Sequence, residues 1–106
     1  MEIRNFQKNS TRTLNKELNK EQLLSNMVMG ISGEAGEVAD IIKKHLYQGH
    51  NLDIQHLSEE IGDVMFYIVN LATVLGLDMC EILENNISKL KKRYPEGFDA
   101  DKSINR

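Results

Sequence analysis

Two five-residue stretches, GEAGE at residues 33–37 and EEIGD at residues 59–63, decide the predicted fold of this chain and the position of its site. Each contains two acids three residues apart, a spacing that places both side chains on one face of a helix. Apolar residues flank each pair at helical spacing, so the acids lie in line with the stripe that should face the core. A charged group there is unfavourable unless it is paired or bound to a metal ion. The four acids that need an explanation are Glu34, Glu37, Glu60 and Asp63.

The sequence around the first acid pair predicts a long helix. Apolar residues recur every three or four positions, which predicts a helix from about Lys20 to Gln48. Asn19 has the position of an N-cap, and Gly49 has that of the C-terminal glycine. The polar segment of residues 1–18 forms an N-terminal arm with a short helix over about residues 3–15.

Two further helices follow. The second acid pair lies in a predicted helix from about Ile54 to Leu75, for which Asn51 and Asp53 are the two candidate N-caps. Asp78 caps a last helix that ends near Arg93, because Pro95 disfavours a helical residue before it. Residues 96–106 are polar, and we expect a flexible tail there. No segment has strand periodicity, so the predicted class is all-α: a single domain over residues 1–106, built as a four-helix bundle that homo-oligomerisation completes.

Composition excludes several function classes. The chain has 106 residues, a net charge of -3 and one cysteine, Cys80, so it fits one domain without an intrachain disulfide. The charge gives no general case for nucleic acid or an anionic membrane. The longest apolar run, residues 64–77, is shorter than the roughly 20 residues that span a bilayer. The first residues lack the apolar region of a signal peptide, so we expect a cytoplasmic protein. Self-association is favoured because a chain of this length has a modest core. It is also favoured by three methionines that we expect to be exposed, Met27, Met29 and Met65.

Three glycines interrupt the long helix near the first acid pair. Gly30, Gly33 and Gly36 together disfavour this helix by roughly 3 kcal/mol relative to alanine. One explanation is that they let a partner helix approach closely. The other is that they leave space for a ligand beside the acids.

We expect the clustered acids to have neither histidine nor cysteine partners. A di-iron site needs Glu-x-x-His on two helices, and none of the three histidines has a glutamate three residues before it. Clustered carboxylates are hard oxygen ligands that suit Mg²⁺, with Mn²⁺ as a possible substitute. Mg²⁺ is commonly bound by few carboxylates together with substrate phosphates, so this pattern indicates a phosphate-bearing substrate. We expect the three histidines, His45, His50 and His56, to be surface or loop residues.

A basic set lies on the last predicted helix. Asn86, Lys89 and Arg93 share one face at positions i, i+3 and i+7. This face is either a solvated helix end or a clamp for phosphates. Lys44 is likewise either a solvated lysine or a residue that binds phosphates. Tyr67, four residues after Asp63, is either a tyrosine at the edge of the core or a residue that contacts a base.

Three sequence runs, at residues 33–40, 59–64 and 86–97, together resemble the MazG-like nucleoside triphosphate pyrophosphohydrolases. The resemblance covers roughly residues 22–98. It implies an all-α fold, a homodimer or a dimer of dimers, and Mg²⁺-dependent cleavage of a nucleoside triphosphate to monophosphate and pyrophosphate.

The resemblance also implies roles for individual residues. The four acids would bind the metal. In the mechanism that we expect from these roles, Glu34 or Glu37 activates the attacking water. Lys89 and Arg93 would hold phosphates with Asn86 alongside, and Tyr67 would lie near the base. The chain departs from many members in having Gly33 where they carry a second glutamate. Either Glu34 alone suffices, or Glu59 supplies the extra carboxylate.

Three other interpretations remain open from the sequence. A phosphoribosyl-ATP pyrophosphohydrolase would use the same acids on another nucleotide. A non-catalytic helical interaction protein would keep them only as a metal site. A purely structural bundle would bind no metal.

Overall fold

A computed structural model describes all residues, 1–106, and contains only helices as regular secondary structure. The all-α class predicted from the sequence is confirmed. A 3₁₀ turn, Thr11–Thr13, follows the first of five α-helices. These are α1 (Ile3–Ser10), α2 (Lys20–Tyr47), α3 (Ile54–Val74), α4 (Met79–Arg93) and α5 (Ala100–Ile104).

Local sequence signals fix the ends of the long helices. Asn19 and Gln22 form a reciprocal capping box at the start of α2, with side chain to backbone distances of 2.9 and 3.0 Å. Gly49 follows the end of this helix with φ +73°, a left-handed conformation that glycine adopts without strain. Asp53 and Asp78 cap α3 and α4 through their side chains. These predictions are confirmed.

Two terminal segments differ from the prediction. The first helix ends at Ser10 and continues as the 3₁₀ turn, earlier than the predicted end near residue 15. In the polar tail, Asp99 accepts a hydrogen bond from the backbone N–H of Asp101 and starts the short helix α5. A helix of five residues shows no apolar periodicity, so the sequence pattern did not indicate it.

The antiparallel pair α2–α3 is the centre of the molecule. A six-residue link, residues 48–53, reverses the chain, and Gly30 of α2 faces Tyr67 of α3. A Cβ atom at Gly30 would overlap the tyrosine ring, so close helix approach explains this glycine. Gly33 and Gly36 have no such neighbour within 4 Å and border open space.

The buried core is small. Val69, Ala72 and Met79 form one buried cluster, and Phe6 of α1 packs against it. Met27 is buried as well, contrary to the expectation that it would be exposed. Met65 is half-buried, and Met29, at 70% exposure, is the one of the three methionines that is clearly exposed.

Helix α4 turns away from the α2–α3 pair. The axes of α3 and α4 meet at 105°, and α1 braces the corner through an ion pair of 3.0 Å between Arg4 and Asp78. Every residue of α4 from 81 to 92 is exposed, including Ile87 at 53%. The predicted four-helix bundle is therefore not closed within one chain.

No single helix is both long and apolar enough to cross a membrane; α3 and α4 reach that threshold only when counted together across their bend.

Candidate metal and phosphate site

Three of the predicted acids converge between α2 and α3. Glu34, Glu60 and Asp63 each place a carboxylate oxygen within 4.8 Å of the other two. Glu60 is buried, with 8% of its surface exposed, although carboxylates are rarely buried without a partner. One oxygen of Glu60 and one of Glu34 are buried without any hydrogen-bond partner. This donor set fits a hard divalent cation, which would satisfy both oxygens.

The electrostatics of Glu60 lead to the same conclusion. Its pKa is raised to about 7, first because its carboxyl group contacts that of Glu34, then because of burial, and then because of Glu37. A carboxylate so close to like charges is unfavourable as an anion, and a bound cation would reverse that balance. The cluster is therefore arranged for a positive ligand.

The fourth acid, Glu37, lies beside a histidine. Glu37, His56 and Glu60 form a second group whose ligand atoms all lie within 4.8 Å of one another. The Nε2 atom of His56 is 3.2 Å from a carboxylate oxygen of Glu60. The expectation that the acids have no histidine partner is wrong, because the half-exposed side chain of His56 contacts the acid cluster. The signal was present in the sequence, because His56 precedes Glu60 by four residues on one helix face.

A cavity of about 540 Å³ opens beside this second group, and Glu37, Lys44 and His56 are among its lining residues. Lys44 forms an ion pair of 2.8 Å with Asp40, which also lines the cavity. Hydrogen bonds from Lys44 and then Lys43 lower the pKa of Asp40. Lys44, which we predict to bind substrate, thus lies in the wall of the cavity beside Glu37, and Asp40 orients its ammonium group.

Tyr67 occupies a different position from the acids. It packs over Gly30 and contacts Phe66 edge-on, with ring centroids 5.2 Å apart. It also lines a groove of about 170 Å³ with Leu14 and Leu18 of the N-terminal segment. Tyr67 lies one helical turn beyond Asp63 along α3, and its contact with a base stays a prediction.

The basic face of α4 is separate from the acids within one chain. Lys89 and Arg93 line a cavity of about 620 Å³ together with residues of the C-terminal segment. These include the basic residues Lys102 and Arg106 and the acids Asp99 and Asp101. None of the four acids lines that cavity, and it shares no lining residue with the cavity beside Glu37. Asn86 is exposed on α4 and does not line either cavity.

One buried polar residue was not predicted as part of a site. Asn70 of α3 is fully buried and donates a hydrogen bond of 2.9 Å to the Phe66 carbonyl, while its own side-chain oxygen has no partner. An asparagine inside the apolar run of residues 64–77 was the available signal. Such a residue is unfavourable in a core unless another group satisfies it.

Comparison with known proteins identifies the family. Residues 22–98 match the MazG nucleotide pyrophosphohydrolase domain, a range that includes both acid pairs and the basic face of α4. The chain belongs to the MazG nucleotide pyrophosphohydrolase family. The resemblance inferred from the sequence is thus confirmed, and pyrophosphohydrolase activity is indicated in general terms.

A relative of known sequence covers most of the chain. The Gene 37 protein of Mycobacterium phage L5 is 36% identical over 87 residues, which cover 78% of this chain and 76% of that protein. Its name states no activity. No solved structure shows a significant match to the chain.

Proposed function

We propose that this MazG-family domain is a Mg²⁺-dependent pyrophosphohydrolase that cleaves a nucleoside or deoxynucleoside triphosphate to monophosphate and pyrophosphate. The observation that carries the proposal is the convergence of Glu34, Glu60 and Asp63, with buried carboxylate oxygens of the first two lacking any partner. Within a family that acts on nucleotides, such a set is best explained as a site for a cation and the phosphates it accompanies.

All four acids would hold divalent metal. Glu34, Glu60 and Asp63 would bind Mg²⁺, with Mn²⁺ as a substitute, and Glu37 would bind metal on the other side of Glu60. The bound ion would stabilise the negative charge that develops on the phosphoryl oxygens. The helices supply the rigidity, because the four acids lie on the two elements that pack together in the centre of the molecule.

A carboxylate of α2, Glu34 or Glu37, orients the attacking water and accepts its proton. The water oxygen forms a bond to the α-phosphorus. The bond from that phosphorus to the bridging oxygen breaks, and pyrophosphate leaves with the electron pair. Both acids lie next to Gly33 or Gly36, whose missing side chains leave open space for the reacting groups.

The phosphates also need positive charge. Lys89 and Arg93 would hold the β- and γ-phosphates with Asn86 alongside, and Lys44 contributes from the rim of the acid cavity. Because α4 is exposed and its basic cavity does not include the acids, we propose that α4 of a second copy completes the site. The assembly is a homodimer or a dimer of dimers. Tyr67 would contact the base.

A panel of canonical nucleotides and phosphoribosyl-ATP, assayed for pyrophosphate with and without Mg²⁺, tests the activity. The expected result is Mg²⁺-dependent release from one or more triphosphates, reduced at least about a hundredfold in Asp63→Asn. Glu21→Gln is the control, since Glu21 is an exposed acid of α2 that belongs to neither ligand group.

Each alternative predicts a different outcome. Turnover confined to phosphoribosyl-ATP would replace the proposed substrate class. Metal binding without turnover of any nucleotide would indicate a non-catalytic metal-binding protein. Equal activity of wild type and Asp63→Asn would overturn the assignment of the site.

A further inference from the structure

Glu60 belongs to two ligand groups at once. On one side it meets Glu34 and Asp63, where all donors are oxygen atoms. On the other side it meets Glu37 and His56, where one donor is an imidazole nitrogen. The side chain of Glu60 is only 10% exposed, one of its oxygens faces His56, and the other has no partner. One buried carboxylate is therefore shared by two differently composed groups.

The two groups suit different cations. Oxygen donors alone favour Mg²⁺ and Ca²⁺, whereas an imidazole nitrogen raises affinity for divalent transition metals. We propose that Glu37, His56 and Glu60 form a second metal site, distinct from the all-oxygen set, that prefers a divalent transition metal ion over Mg²⁺. His56 is the ligand that sets this preference.

The positions of the three side chains support this inference. With bonds of about 2.1 Å, ligands around one ion are roughly 3–4.2 Å apart, so atoms that already lie within 4.8 Å need only small side-chain rotations. The Nε2 atom of His56 already faces Glu60 at 3.2 Å. His56 belongs to the first turn of α3, which the Asp53 cap fixes by accepting its backbone N–H at 3.0 Å. Glu37 comes from the opposite helix.

The surroundings make the site accessible. His56 and Glu37 are exposed on the wall of the cavity of about 540 Å³, so an ion can enter from solvent. The one lysine in that wall, Lys44, is paired with Asp40 rather than with the acids of the site. A simple alternative is that His56 only forms a helical i, i+4 contact with Glu60. That alternative predicts no nitrogen ligand on a bound metal.

Mn²⁺ is a suitable probe because electron spin echo spectroscopy detects a directly bound ¹⁴N nucleus. The full chain is given less than one equivalent of Mn²⁺ in a background of Mg²⁺, which fills the all-oxygen set. We expect ¹⁴N modulation from the wild type, its loss in His56→Asn, and its retention in His50→Asn. His50 lines the same cavity but belongs to neither ligand group, which makes it the matched control.

Affinity gives a second readout. Titration with Mn²⁺ alone should show one site weakened at least about tenfold by His56→Asn, while Mg²⁺ affinity changes less than about twofold. Circular dichroism checks that the variant keeps its helices. Absence of ¹⁴N modulation in the wild type, its persistence in His56→Asn, or equal Mn²⁺ affinity of the two proteins would overturn the inference.

Only one part of the inference, that the second metal site is used during turnover, rests on the proposed function. Binding of metal and the ¹⁴N signal require no substrate. Nitrogen ligation without pyrophosphate release would therefore leave the site in place and remove the proposed activity. The reverse outcome, release without nitrogen ligation, would remove only the second site.

Discussion

The acid cluster and the basic face of α4 supply the metal ligands and the phosphate ligands of the proposed reaction. The two regions differ in how far the single chain buries them. The acids lie between α2 and α3, and Glu60 is buried there. The basic residues Lys89 and Arg93 lie on a helix whose residues 81–92 are all exposed. Folding of a single chain therefore brings the acids together but leaves the basic residues of α4 apart from them.

This difference has a physical cause. Helices joined by a short link pack as antiparallel neighbours, so α2 and α3 bring their acids together directly. The turn between α3 and α4, with Gly76 at φ +72°, sends α4 off at 105° instead. An exposed helix with apolar residues such as Ile87 and Leu90 then has a surface that a second copy can cover. If the proposed function holds, we expect metal binding to need one chain and phosphate binding to need two.

The largest expected effect is recovery of activity in a mixed oligomer. Asp63→Asn and Arg93→Ala should each be strongly impaired alone, but refolding them together in equal amounts should restore about a quarter of wild-type activity. In that mixture half of the dimers are heterodimers, and each contains one intact site of two. The assay is pyrophosphate release at equal total protein. No recovery, with heterodimers shown by mass spectrometry, would place both halves of the site in one chain.

Arg93→Ala examined alone should separate binding from chemistry. We expect KM for the triphosphate to rise about 10- to 100-fold, because a charge-assisted hydrogen bond contributes about 1.5–3 kcal/mol. Lys91→Ala is the control, since Lys91 is exposed on the same helix but does not line the basic cavity. An unchanged KM in Arg93→Ala would exclude this residue from phosphate binding.

Ile87→Glu should weaken self-association without unfolding the α2–α3 pair. Ile87 is 53% exposed, so a charge there is harmless in one chain but unfavourable in an apolar interface. Sedimentation equilibrium should show a shift towards monomer, and circular dichroism should show unchanged helix content. The Mn²⁺ affinity of the acid cluster should stay the same. If the oligomer is as stable as in the wild type, α4 is not its interface.

The acid cluster should make metal-free protein sensitive to pH. The pKa of Glu60 is about 7 in the folded chain, against an ordinary value of 4.5, so the folded state holds its proton more tightly. This contribution to stability is fully present below pH 4.5 and is lost as pH rises through about 7. With a chelator present, the melting temperature should therefore fall over this range more in the wild type than in Glu60→Gln. Identical pH profiles would contradict the crowding of carboxylates in this cluster.

The smallest expected effects concern two glycines of α2. Gly30→Ala should destabilise the chain by about 1–3 kcal/mol, because its Cβ atom would overlap the Tyr67 ring. Gly36→Ala borders open space and should stabilise the metal-free chain by up to about 1 kcal/mol. Urea denaturation measures both. Equal effects at the two positions would show that close packing of α2 on α3 does not depend on Gly30.

Much of this structure could be predicted from local sequence signals. Asn19, Asp53 and Asp78 mark helix starts through hydrogen bonds to residues two or three positions away, and Gly49 marks an end through its left-handed conformation. Such contacts depend on neighbours in the chain, so spacing alone reveals them. The pairing of Glu34 with Glu60 was also predictable, because the link between their helices is short.

Other features depended on contacts between distant residues. Burial of Met27 and of Asn70, and the contact of His56 with an acid that also meets α2, follow from the packing of α2 on α3. The separation of Lys89 and Arg93 from the acids follows from the angle of one turn, which no apolar periodicity encodes.

The sequence by itself therefore determined the helices, the acid pairs and the family of this chain, because these depend on residue type and spacing. Only the tertiary structure decided which acid is buried, which histidine joins the cluster, and that α4 faces solvent. Those properties depend on the relative placement of whole helices, and a single buried carboxylate such as Glu60 acquires its raised pKa from that placement.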